Sequence, residues 1–233
     1  MNSLRKHSLA AGIFYLLTFV SIPAPFIFYA AVRAPNFIVG SGPDGPVFLG
    51  AFLEVVVALA GIGTAIALYP VVKRQGESRA LGLVASRTLE AATIYAGIVS
   101  LMTLMTLRQA SPGAGGLLIG SALSTQYTVN FFFGQSFFAA INGVLLGSLL
   151  YQSRLVPRWL PILGFVGATL LMVSWGATMF GFMPPGAVNA AAGLLALPVA
   201  AWEFSLGIYL TFWGFKPSPI TADSEALPAR LAP

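Results

Sequence analysis

Six stretches of this chain are apolar over lengths that match a bilayer: Leu9–Val32, Val47–Val72, Ala80–Leu107, Val129–Tyr151, Trp159–Phe182 and Ala187–Phe215. Roughly 20 residues cross ~30 Å of hydrocarbon at ~1.5 Å rise per residue, so each run suits a transmembrane helix. Barrel strands would alternate apolar and polar positions over about ten residues, and these runs do not. Only 8% of the 233 residues are charged, against about 25% in soluble domains. The pattern predicts an all-α integral membrane protein. A six-transmembrane-helix bundle fills residues 1–216, and a proline-rich polar tail over 217–233 is expected to be disordered.

The first run follows the basic stretch "MNSLRKHS", which is also how a secretory signal begins. Its apolar part exceeds the roughly 7–15 residues of a signal core, so it reads as a retained span, bent at Pro23 and Pro25. Arg5, Lys6, Lys73, Arg74, Arg79, Arg154, Arg158 and Lys216 fall on one side of the bundle, and Arg33 and Arg108 on the other. The positive-inside rule then places both termini in the cytoplasm. This asymmetry accounts for the net charge of +5 without a nucleic-acid partner. The partner these runs demand is the lipid bilayer; a small-molecule ligand and a homo-oligomer are compatible with them. The outer connection "RQASPGAGGLLIGSALSTQY" is glycine-rich but lacks the Lys-Ser/Thr of a phosphate loop, so it reads as a floppy or interfacial loop.

Whole classes of chemistry are excluded by residue supply. There is no cysteine, and the one histidine is His7 in the N-terminal segment. Disulfides, thiolate-bound metals, histidine-ligated haem, an HExxH zinc site and a Ser-His-Asp triad have no residues in the membrane region. No cofactor and no metal are expected, and no nucleophile–base pair marks a catalytic residue. The chain reads more readily as a non-enzyme.

Against that background the stretch "ASRTLEAAT" is anomalous: it sets Arg87 and Glu90 inside the third run. Counting from the basic residue at each helix end, Glu90 lies roughly 16 Å in, Asn142 roughly 18 Å and Glu203 roughly 19 Å, with Arg87 at roughly 12 Å. Three spans therefore bring these groups to one level near mid-membrane. A charge there costs on the order of 2.5–3.5 kcal/mol even on insertion scales, so the group should face the bundle interior. Arg87 and Glu90, spaced i and i+3, share a face and can pair. One arginine cannot neutralise two carboxylates, so the layer carries a surplus negative charge or a proton. Arg87, Glu90, Asn142 and Glu203 are the candidate binding or proton site. Glu54 and Gln135, nearer the outer face, are secondary candidates. Gly143 and Gly147 form a GxxxG suited to close helix packing.

Two hairpins echo each other at a fixed offset of 82 residues. Leu68, Tyr69, Leu81, Gly82 and Val84 match Leu150, Tyr151, Leu163, Gly164 and Val166, while Arg87 and Glu90 fall on Thr169 and Met172. Duplication and convergent composition both explain this, but the charged pair belongs to one hairpin alone.

The segments "ALYPVVKRQGESRALGLVASRTLEAATIYAGIVSL", "YQSRLVPRWLPILGFVGA" and "LPVAAWEFSLGIYLTFWGFKP" together resemble a bacterial family, the domain of unknown function 4386. The resemblance covers nearly all of Leu9 to Lys216. It implies a single-domain, multi-span protein of the bacterial inner membrane, and carries the Arg87–Glu90 pair, the "SRLVPRWL" turn, Glu203 and the Gly214 to Lys216 close. It implies no activity. Three functions stay open: small-solute or proton-linked transport or binding, a non-catalytic sensor or partner subunit clamped by a structural ion pair, and a membrane-embedded lipid enzyme.

Overall fold

A computed structural model of the protein describes residues 2–21, 27–183 and 190–222. The helices are α1 (Ser3–Ser21), α2 (Gly45–Val72), α3 (Glu77–Gln109), α4 (Gly116–Phe132), α5 (Ala139–Ser153), α6 (Trp159–Met179) and α7 (Ala190–Phe212). A π-helical turn, Phe133–Phe138, joins α4 to α5 without a break. No strand occurs among the described residues. Five helical stretches are long and apolar enough to cross a membrane: Gly45–Val72, Glu77–Gln109, Gly116–Ser153, Trp159–Met179 and Gly193–Phe212. This is a multi-pass membrane protein. α1, which falls in the place of the first of the six expected spans, is not among these five, and its 19 residues include Arg5, Lys6 and His7. The bend expected at Pro23 and Pro25 lies outside the described residues.

The helices close a ring in chain order. α1 packs on α2, α2 on α3, α3 on both α4 and α5, α5 on α6, α6 on α7, and α7 returns to α1. Glycines set the close approaches. A Cβ on Gly12 would stand 2.6 Å from the Thr211 nitrogen, and one on Gly167 would stand 2.5 Å from the Val199 nitrogen. The GxxxG of α5 behaves as such motifs do, with Gly143 against Ala168 and Gly147 against the Phe165 ring of α6. The burial pattern inverts that of a soluble bundle. Leu59, Ile66, Leu89, Val99, Val144 and Val173 face outward, whereas Glu54, Arg87, Glu90 and Asn142 are buried. Apolar residues on the outside suit lipid, and charge on the inside escapes it.

At the end of the bundle where the chain starts, Arg5 donates to the carbonyls of Leu210 (2.9 Å) and Thr211 (2.5 Å), and Ser8 donates to Leu210 at 2.7 Å. The last carbonyls of a helix lack partners and carry negative dipole charge, so a guanidinium completes them. The first residues of the tail expected to be disordered are bonded to the bundle. The Lys216 N–H donates to the Leu155 carbonyl at 2.8 Å, the Ser218 hydroxyl donates to the Ser153 carbonyl, and Thr221 is 1% exposed. These bonds use carbonyls left over where α5 ends, at a left-handed Arg154 (φ 57°), so residues 217–222 belong to the packed structure. The remainder, 223–233, lies outside the described residues.

A second correction applies at the far end, where the connection expected to be a floppy loop contains α4. Its glycines have the look of breakers, but they are contact points. A Cβ on Gly120 would lie 2.8 Å from Ile38 Cβ, and one on Gly116 2.6 Å from Pro112 Cγ. α4, the adjoining ends of α2 and α3 and the 27–44 connection enclose a small core of Tyr29, Val32, Phe37, Ile38, Val47, Leu101, Leu104 and Met105. Arg108 fastens that connection. It pairs with Asp44 (3.0 Å), donates to the Phe37 carbonyl, and lies 4.2 Å from the centre of the Phe37 ring.

Candidate functional site

Arg87 lies on the face of α3 that looks into the ring, one helical turn before Glu90. Its Nη1 meets Glu90 Oε2 at 2.9 Å, and its Nη2 meets Glu203 Oε1 of α7 at 2.6 Å. Asn142 of α5 donates from Nδ2 to the same Glu90 Oε2 at 2.8 Å. The structure thus brings Arg87, Glu90, Asn142 and Glu203 into one hydrogen-bonded cluster spanning three helices. The side chains of Arg87 and Glu90 are 5% and 8% exposed, and that of Glu203 is 14% exposed. Tyr15 of α1 adds a fourth wall, its ring centre 5.7 Å from the guanidinium carbon.

Two packing devices aim these groups. Trp202, fully buried, sits over Gly164, where a Cβ would come within 2.6 Å of its ring, and close to Gly143. That seat fixes the rotation of α7 and points the adjacent Glu203 at α3. The π turn lies against the Glu90 turn of α3. A Cβ on Gly134 would stand 2.5 Å from Thr93 Oγ1 and 3.5 Å from the Glu90 carbonyl. A π turn inserts an extra residue and shifts the phase of the helix beyond it, a feature that recurs at functional sites.

The cluster borders a cavity of ≈ 20 Å³ lined by Thr18, Val57, Ala58, Gly61, Arg87, Glu90, Ala91, Ile94, Gln135 and Glu203. A water needs about 10–15 Å³ measured at its centre, so this is room for one or two water molecules. Three polar atoms of the cluster's residues have no hydrogen-bond partner among the described residues: Arg87 Nε, Asn142 Oδ1 and Tyr15 OH.

Gln135 belongs to this cavity, but Glu54 does not join the cluster. Glu54 lies two turns beyond Gly61 on α2, in a separate setting: it accepts from Tyr29 OH at 2.9 Å and from Tyr127 OH at 2.8 Å. The two tyrosine rings meet edge to face, centres 5.2 Å apart. Sequence reading missed Tyr15, Thr18, Tyr29 and Tyr127. The available signal was three tyrosine hydroxyls placed away from the basic end, where interfacial anchoring is no explanation. The echo between hairpins stops at the cluster, since Thr169 and Met172 are exposed where Arg87 and Glu90 are buried. Among the described residues no three His, Cys, Asp or Glu side chains gather as a metal would require.

A protein-family model described as "Domain of unknown function (DUF4386)" matches residues 10–214. The chain belongs to this family. The match runs from α1 through α7, so in this DUF4386 member the cluster, the cavity and the Glu54 site all lie inside the family region. No curated protein and no solved structure matches the chain.

Chemically, the cluster can do two things. A guanidinium shared by two carboxylates ties α3 to α7, with α5 joined through Asn142. The same arrangement holds two potential negative charges against one positive one in low dielectric, which invites a proton. The cavity beside it admits water or a proton carrier, and nothing larger in this conformation.

Proposed function

We propose that this DUF4386 protein is a proton-linked transport or binding protein of the bacterial inner membrane, with six spans and both termini in the cytoplasm. Its working site is the Arg87–Glu90–Glu203 cluster with Asn142. The observation that carries the reading is one buried guanidinium divided between two carboxylates beside a water-sized cavity. A permanently neutral clamp needs one carboxylate. The second is a cost of several kcal/mol in a dry interior unless a proton or cation balances it. Protonation of Glu203 loosens its bond to Arg87 and so frees α7 from α3, which is how proton binding would couple to helix movement; Glu90, on the same helix as Arg87, keeps the guanidinium charge-balanced meanwhile. The distribution of Lys and Arg supports the orientation, and the packing of α1 between α2 and α7 supports counting it as the sixth span.

A second reading has its own observation. Both Arg87 bonds are made and short, as a static clamp in a sensor or partner subunit would have them. Infrared difference spectroscopy of the purified protein in lipid separates the two. Proton exchange predicts a carboxylic C=O band that appears on acidification and is lost in Glu90→Gln or Glu203→Gln while the variant still folds. A band-free wild type, or variants that fail to accumulate, would leave the clamp as the better account.

A further inference from the structure

We infer that Glu54 is a second proton-binding site, the outer station from which protons reach the Arg87–Glu90–Glu203 cluster through the cavity between them. This deepens the proton-linked reading above and rests on it.

The inference begins with two antiparallel helices. On α2, Glu54, Val57, Ala58 and Gly61 fall at i, i+3, i+4 and i+7, one stripe of a helix. On α3, Arg87, Glu90, Ala91 and Ile94 repeat the same spacing. Gly61 faces Arg87, since a Cβ there would lie 4.0 Å from Nη1. Because the helices run in opposite directions, Glu54 stands about 10 Å further along, at the level of Ile94. Every member of both stripes except Glu54 lines the one cavity. Its upper wall, Val57 and Ala58, is therefore the turn next to Glu54, and its lower wall is the charged cluster.

The setting of Glu54 fits a proton carrier better than a structural anchor. It is 4% exposed, yet it belongs to none of the ion pairs among the described residues. The groups that face it are hydroxyls: Tyr29 from the 27–44 connection and Tyr127 from α4, with Arg33 in electrostatic reach of Tyr127. A hydroxyl both donates and accepts. Tyr29 and Tyr127 can therefore donate to the carboxylate, and either can accept from the carboxylic acid, with no change of position. At the lower end the facing groups are Tyr15 and Thr18 of α1, Arg87 and Glu90 of α3, Gln135 of the π turn, Asn142 of α5 and Glu203 of α7. Above Glu54, an outer pocket of ≈ 200 Å³ lined by Arg33, Ser121, Ser124 and Thr125 among others reaches to within two residues of Tyr127. Polar groups thus run from the far end of the bundle to mid-membrane, interrupted only by the small Val57–Ala58–Ala91–Ile94 constriction.

The step balances simply. A hydronium gives its proton to a Glu54 oxygen and leaves as water. The acid passes the proton through cavity water to a carboxylate oxygen of Glu90 or Glu203, and Glu54 returns to the carboxylate.

The test is time-resolved infrared spectroscopy of the full chain in liposomes after a light-triggered proton release on the far side. The reporter is the carboxylic band of the lower cluster, identified by its loss in Glu90→Gln and Glu203→Gln. Glu54→Gln should slow the rise of that band by about 10²-fold, the low end of what a positioned proton-transfer group contributes. Its final amplitude should be unchanged, and Glu54→Asp should restore part of the rate. Ala58→Leu, which fills the constriction and keeps Glu54, should slow the rise as well and decides the matter if Glu54→Gln does not fold. A wild-type rate in Glu54→Gln, or in Ala58→Leu, overturns the relay and leaves the proton-linked cluster standing. A wild type with no such band overturns both.

Discussion

Replacing Arg87 by methionine keeps most of the side-chain volume and removes the one cation of the cluster. Glu90 and Glu203, held at 2.9 and 2.6 Å, are then left facing each other in the ring interior. At an effective dielectric of about 20, each charge pair contributes on the order of 4 kcal/mol at ~4 Å before desolvation is subtracted. Mutational experience puts the loss of one partner of a buried pair at about 3–5 kcal/mol. We expect Arg87→Met to destabilise by about that much, and by more than any loss of an exposed ion pair, which is worth ~1 kcal/mol or less. Charge arithmetic orders the combinations. Adding Glu90→Gln or Glu203→Gln to Arg87→Met removes one orphaned carboxylate and recovers part of the loss, and adding both recovers most of it. The measurement is reversible unfolding in mixed micelles, following the mole fraction of denaturing detergent at the midpoint for all members of the series. The reasoning is refuted if Arg87→Met lies within ~1 kcal/mol of the parent, or if the triple variant is less stable than Arg87→Met alone.

The same geometry yields two more expected outcomes. Gly164→Ala drives a methyl to within 2.6 Å of the Trp202 ring, and overpacking of this kind costs about 1–3 kcal/mol. Gly193→Ala, which meets nothing within 4 Å, is the control, and equal thermal midpoints for the two would show the Trp202 seat to be unimportant. Because the chain has no cysteine, single introduced thiols report topology cleanly. A membrane-impermeant maleimide on spheroplasts should label Ser41→Cys at once and Ser3→Cys only after permeabilisation, and the opposite pattern would invert the proposed orientation.

Much of this molecule is legible in its sequence, for identifiable reasons. Long apolar runs declare spans because the bilayer imposes one length, and a constant rise per residue turns positions into depths. That is why Glu90, Asn142 and Glu203 can be assigned to one level although 52 residues separate Glu90 from Asn142 and 116 separate Arg87 from Glu203. Depth counting says nothing about rotation, and rotation decides which side chains meet. Gln135 reaches the cavity from a π turn, where a constant angle per residue no longer holds. Tyr29 reaches Glu54 from the connection between α1 and α2, which no helical period describes. α4 is hidden because Gly116 and Gly120 look like helix breakers in a chain considered alone. They become assets only when Ile38 and Pro112 are known to press on them.

Two of the contacts that orient α7 come from neighbouring residues. Trp202 and Glu203 are consecutive, so their side chains leave the helix about 100° apart. Trp202 enters the seat formed by Gly164 and Gly143, on α6 and α5, while Glu203 crosses the interior to Arg87 on α3. The first contact is apolar and independent of protonation. The second is an ion pair that a proton on Glu203 would weaken. A helix held by both has one orientation, and a helix held by Trp202 alone keeps its seat but loses the bond that fixes its other face. On the proton-linked reading proposed above, any response of α7 would therefore be a pivot about the Gly164 contact, and Gln135 and Thr18 line the cavity that such a pivot would widen or close.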